Sequence, residues 1–464
     1  MNTGIRYFLG RTGSGKSYRM MEEIVADLKK AGDYPLLLLV PEQFTLQAER
    51  DLIEKMNLPG IMRVEVLSFT RLAFRVFNEV GGLTRTTISE QGKNMILRKI
   101  INENLDALGI YKKAARQAGL VEKVSSTLAA FKQQGISPQE LGQAAEGLPE
   151  GSTLFKINDL VLLYQKFNDY MQGRYLDTED RVNLFINKMG ESNYIKQARI
   201  WIDGFTTYSG QSLRIIEKLM GLARETTISF TINNEDDPDS DLFHLSARSY
   251  RKIRSMAQAC GIREEVVHFA SGGAGNGKDP ELEFLEKELY AYPYRVYRRE
   301  VNHIRLFAST NVQAEVENAA REVTGLAREK GYRWKDIAVV CNNMETYGDL
   351  LSRTFASYGI PVFMDGKRSI MTNPLVQLIL SALEVLEYDF RPEDVFRLMK
   401  TGLNNISPEA CEQLENYALQ YGLIGGKWRK PLVRGEESWR AELEPERLAL
   451  VEPLQVLGAK TRGL

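Results

Sequence analysis

Eight consecutive residues near the amino end, Gly10, Arg11, Thr12, Gly13, Ser14, Gly15, Lys16 and Ser17, follow the pattern Gly-x4-Gly-Lys-Ser/Thr. Such a run binds phosphate. Its glycines let backbone N–H groups wrap a phosphate chain without Cβ clashes. The lysine reaches the β- and γ-phosphates, the terminal hydroxyl binds Mg²⁺, and the following helix adds its dipole. An apolar run precedes the motif, "IRYFLG", and an amphipathic one follows it, "KSYRMMEEIVADLKK". That is the strand–loop–helix context the chemistry requires. The alternative is an ordinary strand–turn–helix.

A nucleotide site of this kind also needs an acid that holds Mg²⁺ through water. "RIWIDGF" places Asp203 at the end of an apolar strand, although an acid there can also be a simple turn residue. A hydrolysing site usually carries a glutamate next, to polarise the attacking water; here Gly204 follows. The expectation is a site for ATP and Mg²⁺, held by Gly10 to Ser17 and Asp203, that binds nucleotide and cuts it poorly.

Two loops have the make-up of a single-strand track, in which aromatics stack on bases and arginines or amides reach phosphates and base edges. "PEQFT" presents Gln43 and Thr45, and "SFTRLAF" presents Phe69, Arg71 and Phe74. The competing reading makes Phe69 and Phe74 core residues of an amphipathic helix. "YRVYRRE", residues 294–300, could touch a phosphate backbone or form a solvated strip.

The elements that must position these residues alternate. After the phosphate loop come "YPLLLLVPE", the kind of apolar run found in buried parallel strands, then the strand "RVEVLSF" and the helix "TRLAFRVFNEV" ended by Gly81-Gly82. This is an α/β pattern with a parallel sheet. A helical stretch interrupts it, with a capping box at Ser137 to Glu140, before strands resume at "ARIWIDGF" and "TTISFTI". A second α/β signal follows: "HIRLFAS", "DIAVVCN" and "IPVFMD" read as strands between helices. Past Pro374 the chain is helical, with another helix start at Ser407-Pro408-Glu409. "LVQLILSALEVL", too short to cross a membrane, reads as a buried helix.

The 60 Lys+Arg nearly cancel the 61 Asp+Glu, so a global basic field is absent and nucleic-acid contacts must be local. Three scattered cysteines and three scattered histidines show no metal-ligand spacing. The cysteines read as reduced, buried small hydrophobes in a cytoplasmic protein without a membrane span.

The phosphate loop, "LVPEQFTLQAE", "VLSFTRLAFRVF", "WIDGFT" and "GIPVFMDGKRSIMTNPLVQLI" together resemble the AddB/RexB family, in the same order, from residue 1 to at least residue 377. That family is the B subunit of the bacterial AddAB-type helicase–nuclease, which processes double-strand DNA breaks for homologous recombination. The resemblance implies a superfamily 1 helicase-like arrangement. Residues 1–86 and 196–295 would form a RecA-like phosphate-loop domain, with a helical insertion at 87–195. Residues 300–372 would form a second, incomplete RecA-like domain, and 373–464 the start of its helical insertion. It also implies an AddA-type partner subunit and contact with duplex ends and single strands of DNA. Phe205 joins the loops above on the strand path, where family members recognise a Chi sequence; they more often have tryptophan where this chain has Phe74. Members are more than twice this length and end in a nuclease domain with an iron–sulfur cluster, so this chain resembles their N-terminal part.

Against working superfamily 1 motors the chain departs at four places. Only nine residues precede the phosphate loop where a glutamine motif belongs, and Asp203-Gly204 replaces an Asp-Glu pair. "TINNEDDPDSD" replaces a Gly-Asp-x-x-Gln motif, and Asn342 stands near the place of an arginine finger. The reading is a DNA-scanning subunit that binds nucleotide without stepping. The alternatives are an active ATP-driven helicase and a phosphate-loop kinase.

Overall fold

The computed structural model describes residues 4–30, 32–56, 63–115, 117, 119–232, 240–269, 279–364 and 370–461. The chain divides into two compact units, Met1–Arg305 and Leu306–Leu464.

The first unit opens with β1 (Gly4–Gly10), α1 (Lys16–Leu28), β2 (Leu36–Leu39), α2 (Thr45–Lys55), β3 (Val64–Leu67) and α3 (Phe69–Val80). A short β4 (Thr86–Thr87) leads into helices α4 (Glu90–Glu103), α5 (Tyr111–Ala114), α6 (Leu120–Gln134), α7 (Pro138–Glu146) and α8 (Ser152–Met171). Then come β5 (Tyr175–Leu176), α9 (Thr178–Lys188), α10 (Asn193–Gln197), β6 (Arg199–Ile202), α11 (Gly210–Leu222) and β7 (Glu225–Thr231). α12 (Ser240–Ala259), β8 (Arg263–His268) and α13 (Pro280–Glu288) complete it.

Six strands form one parallel sheet in the order β3-β2-β6-β7-β1-β8. Both faces are covered, which is why Leu36 to Leu39 form an unbroken apolar run, every one of them buried. Alternate side chains serve opposite faces. Phe8, Leu36, Leu38 and Trp201 pack with Met20, Ile24 and Leu52 of α1 and α2. Tyr7, Leu37, Leu39, Ile200 and Ile202 pack on the other side with α3, α9, α11 and α12.

The expected helical interruption is present, with its own core around Leu97, Ile100, Leu128, Leu163 and Phe167. β4 pairs with β5 in parallel, so the chain leaves and re-enters the sheet domain side by side. The Ser137 capping box forms as expected, with Pro138 at the first helical position. A buried ion cluster ties α6 to α9: Lys132 Nζ lies 2.7 Å from Asp177 and 2.8 Å from Asp180. Burial works against the Asp177 carboxylate, yet Lys132 holds it below its ordinary range; burial and Asp177 push Asp180 upward.

The second unit differs from expectation. α14 (Val312–Glu329) and α15 (Met344–Ser357) pack together through Val316, Ala320, Leu351 and Phe355. The apolar segments expected as strands make no ladder, and no strand occurs among this unit's described residues. Leu306, Val340 and Phe363 are 99%, 92% and 91% exposed, and the latter two line an open apolar cleft of about 820 Å³. A strand exists only through its hydrogen-bonded neighbours, and these segments have none among the described residues.

α16 (Pro374–Glu387), α17 (Pro392–Met399), α18 (Pro408–Tyr421) and α19 (Glu437–Thr461) surround a core that includes Phe390, Leu414 and Trp428. α18 starts behind Ser407 as expected. The apolar run of α16 predicts a buried helix, yet Leu375, Ile379 and Leu383 stand exposed along it, four residues apart and so on one side. Of the three free cysteines only Cys411 is buried; Cys341 is half-buried and Cys260 exposed, correcting the expectation of three buried thiols. Among the described residues no helix is long and apolar enough to cross a membrane.

Candidate nucleotide and nucleic-acid site

The phosphate-loop residues leave β1 and enter α1 with the backbone such a loop needs. Gly13 and Gly15 adopt positive φ, 77° and 93°, and Gly15 is the N-cap of α1. Gly10 is required by close approach: a Cβ there would lie 2.5 Å from Ser14 Oγ and 2.8 Å from Phe269 Cβ. Lys16 is only 7% exposed, and its ammonium donates to the carbonyls of Gly10 at 2.6 Å and Arg11 at 2.9 Å. A buried ammonium must be paired, and here the loop's own carbonyls take part.

Ser14 Oγ is buried with no hydrogen-bond partner among the described residues. Together with the cradle at Gly10, that unsatisfied hydroxyl fits an anion seated in the loop. Thr12 and Ser17 are exposed, and Ser17 lies in the first turn of α1. Arg11 instead turns away and is 6% exposed. It donates to the Glu286 carbonyl of α13 and lies over the Phe243 ring of α12.

Asp203 follows β6, with its N–H donating to the Leu39 carbonyl of β2 at 2.9 Å and its carboxylate accepting from Ser229 of β7. β7 is the strand between β6 and β1, so Asp203 is oriented by the direct neighbour of the phosphate-loop strand. Gly204 has φ 79°, and a Cβ there would stand 3.4 Å from Pro41. The residue after Asp203 thus occupies backbone space that favours glycine.

The predicted nucleic-acid residues follow β2, β3 and β6, which are adjacent and parallel. Gln43 lies exposed in a short turn, residues Glu42–Phe44, after β2. Thr45 is buried, and its hydroxyl donates to the Glu42 carbonyl at 3.0 Å. Phe69 opens α3 behind the Ser68 cap. It is half-buried, and its ring lies 5.2 Å from that of Phe205. Phe205 in turn stacks on Tyr208 at 5.4 Å. Arg71 is exposed. Phe74 is 41% exposed, with the Arg181 guanidinium 4.8 Å from its ring centre.

Sequence reasoning missed Arg181, Tyr208 and the 48% exposed Phe44. Phe44 lies inside "PEQFT", whereas Arg181 and Tyr208 carry no local signal because contact alone brings them in. Residues 233–239, which stand where motors carry Gly-Asp-x-x-Gln, lie outside the described residues, as do 365–369 of the last family motif. Asn342 is exposed in the second unit.

A parallel sheet with helices on both faces, a glycine-rich strand-to-helix turn, and further loops at the same carboxyl edge define a doubly wound α/β domain. Comparison with known proteins gives the family. The family model for the AddB N-terminal region matches residues 7–286, and the chain belongs to that family. The B subunit of the ATP-dependent helicase/deoxyribonuclease of Alkaliphilus oremlandii is 48% identical over 434 residues, 93% of this chain and 38% of the relative. The protein of the same name from Acetivibrio thermocellus is 39% identical over 460 residues, 98% of this chain and 40% of the relative. The chain therefore spans about two fifths of the length of these curated relatives.

Proposed function

We propose that this chain is the nucleotide- and DNA-holding portion of the B subunit of a helicase–nuclease that acts on broken DNA with an AddA-type partner. ATP–Mg²⁺ would sit in the Gly10–Ser17 loop, with Lys16 on the β- and γ-phosphates and Ser17 and Asp203 serving the cation. Nucleotide binding requires Lys16 to exchange its carbonyl partners for phosphate. Single-stranded DNA would cross the loops after β2, β3 and β6, over Gln43, Phe69, Arg71, Phe74 and Phe205, with Thr45 as a buried support. Such a path suits scanning for a Chi-like sequence.

The observation that carries this reading is positional. β1, β2, β3 and β6 run parallel, so the phosphate loop and the three aromatic-bearing loops leave the same edge of one sheet. Nucleotide occupancy can then tune the grip on a strand. The αL backbone at Gly204 supports binding without stepping, since no acid follows Asp203 and a side chain there would be strained.

A second reading, an active motor, draws on Glu42. This exposed acid follows Pro41, the residue that packs against Gly204. Steady-state ATPase with and without single-stranded DNA, alongside equilibrium binding of labelled ATP, separates the two. The proposed function expects ATP binding that disappears in Lys16→Ala and no DNA-stimulated turnover in either protein. DNA-stimulated turnover that vanishes in both Lys16→Ala and Glu42→Gln would instead establish the motor.

A further inference from the structure

Residues 290–299 read "YAYPYRVYRR": four tyrosines and three arginines with no acid, in a chain whose net charge is −1. Tyr290, Tyr292 and Tyr294 are 79%, 95% and 73% exposed. Large aromatics rarely stand so far into solvent without a partner. Arg298 and Arg299 are exposed too, with no acidic side chain in ion-pair reach among the described residues.

The segment is nevertheless held in place. Glu288 of α13 accepts from the Arg295 N–H at 2.9 Å, and Glu281 accepts from the N–H groups of Asn302 and His303, both at 2.8 Å. Those two backbone bonds and the contact with His303 keep the Glu281 carboxyl below its ordinary range although burial opposes this. Tyr297 packs on Phe284 of α13 with ring centres 5.0 Å apart. Between the segment and α13 lies an open apolar cavity of about 520 Å³, lined by Phe284, Leu289, Tyr290, Tyr294 and Tyr297 among others. The segment thus displays a pre-ordered row of aromatic faces and cations.

We propose that residues 290–299 form a second binding strip for single-stranded nucleic acid, apart from the loops at the sheet edge. Bases stack on Tyr292 and Tyr294 or enter the apolar cavity, and Arg298 and Arg299 meet phosphates. Exposed arginines with no acid in reach among the described residues favour a polyanion over an apolar protein segment. Open aromatic faces favour a single strand over a duplex, whose bases are already stacked. This strip shares with the proposed function only the class of ligand, and none of its residues belongs to the nucleotide loop.

The test is fluorescence anisotropy of a labelled 20-nucleotide poly(dT) with the 464-residue chain, titrated at several salt concentrations. Tyr292→Ala/Tyr294→Ala should weaken binding about thirtyfold or more. Arg298→Ala/Arg299→Ala should lower the salt slope by about 1.4, roughly 0.7 per lost phosphate contact. Wild-type affinity and slope in both double variants would overturn the inference, and so would loss of binding only in Phe69→Ala/Phe74→Ala, which would leave the proposed function standing. Absence of binding by the wild-type chain overturns both readings. Cross-linking of a 5-bromouracil oligonucleotide to the wild-type chain needs no substitution: adducts on residues 289–300 support the strip, and adducts confined to other peptides refute it.

Discussion

The rings of Phe69 and Phe205 lie 5.2 Å apart and tilted by 37°, although the residues come from loops after different strands. Phe205 also stacks on Tyr208, so one aromatic row runs from the head of α3 to the loop after β6. Half-buried rings of this kind serve packing and stacking together. Phe205→Ala is therefore expected to lower stability as well as weaken single-strand binding. Arg71→Ala, on an exposed side chain, should weaken binding about twofold to tenfold and leave the melting temperature in place. Anisotropy and thermal melts on the two variants check this. Unchanged binding in both would remove the sheet-edge path.

Lys16 bonded to the Gly10 and Arg11 carbonyls predicts that nucleotide and loop compete for one ammonium. Lys16→Ala should abolish ATP binding by calorimetry. It should also lower the melting temperature of the nucleotide-free protein, because two buried carbonyls lose a charged donor, about 1–3 kcal/mol. A mutant that binds ATP normally would refute the assignment of the loop.

Gly204 predicts a failed rescue. Gly204→Glu restores the acid that motors carry, but at φ 79° a side chain costs about 1–2 kcal/mol. The expected result is a lower melting temperature with no gain in ATP turnover. A gain in DNA-stimulated turnover would mean that only the missing acid had stopped the motor.

Ion pairs around the sheet set an acid limit to stability. Burial disfavours the charged forms of Glu23 and Asp27, but Arg6 holds Glu23 low, and Lys30 and Arg199 hold Asp27 low. Carboxyls depressed in the fold contribute stability that is present above their unfolded pKa of about 4 and lost as pH falls through the lower folded values. Urea midpoints should hold from pH 7 to about 5 and drop below about 4. Arg199→Met should shrink that acid-side drop, since Asp27 keeps Lys30 but loses the second partner that depresses it.

The helical block depends on Lys132. Asp177 is buried and Asp180 half-buried, so Lys132→Ala leaves uncompensated buried negative charge at Asp177 and should cost about 3 kcal/mol. Limited proteolysis should then cut first within α4 to α8, while the parallel sheet stays protected. Wild-type protease resistance would show that the cluster is dispensable.

Much of the first unit was legible in the residues themselves. Spaced glycines and a lysine announced the turn from β1 to α1, the leucine run of β2 announced a sheet covered on both faces, and Ser137 to Glu140 announced a helix start. These signals are local: a positive φ, a two-residue period and a capping oxygen act within a few positions of the chain. What the folded chain alone decided is pairing. Ser229 on Asp203, Arg181 over Phe74 and Phe69 against Phe205 join positions that no spacing connects. Pairing also explains the segments around Leu306, Val340 and Phe363, whose apolar patterns read as strands and which carry no ladder among the described residues. A strand is completed by its neighbour's N–H and C=O groups, and that neighbour is a property of the tertiary fold.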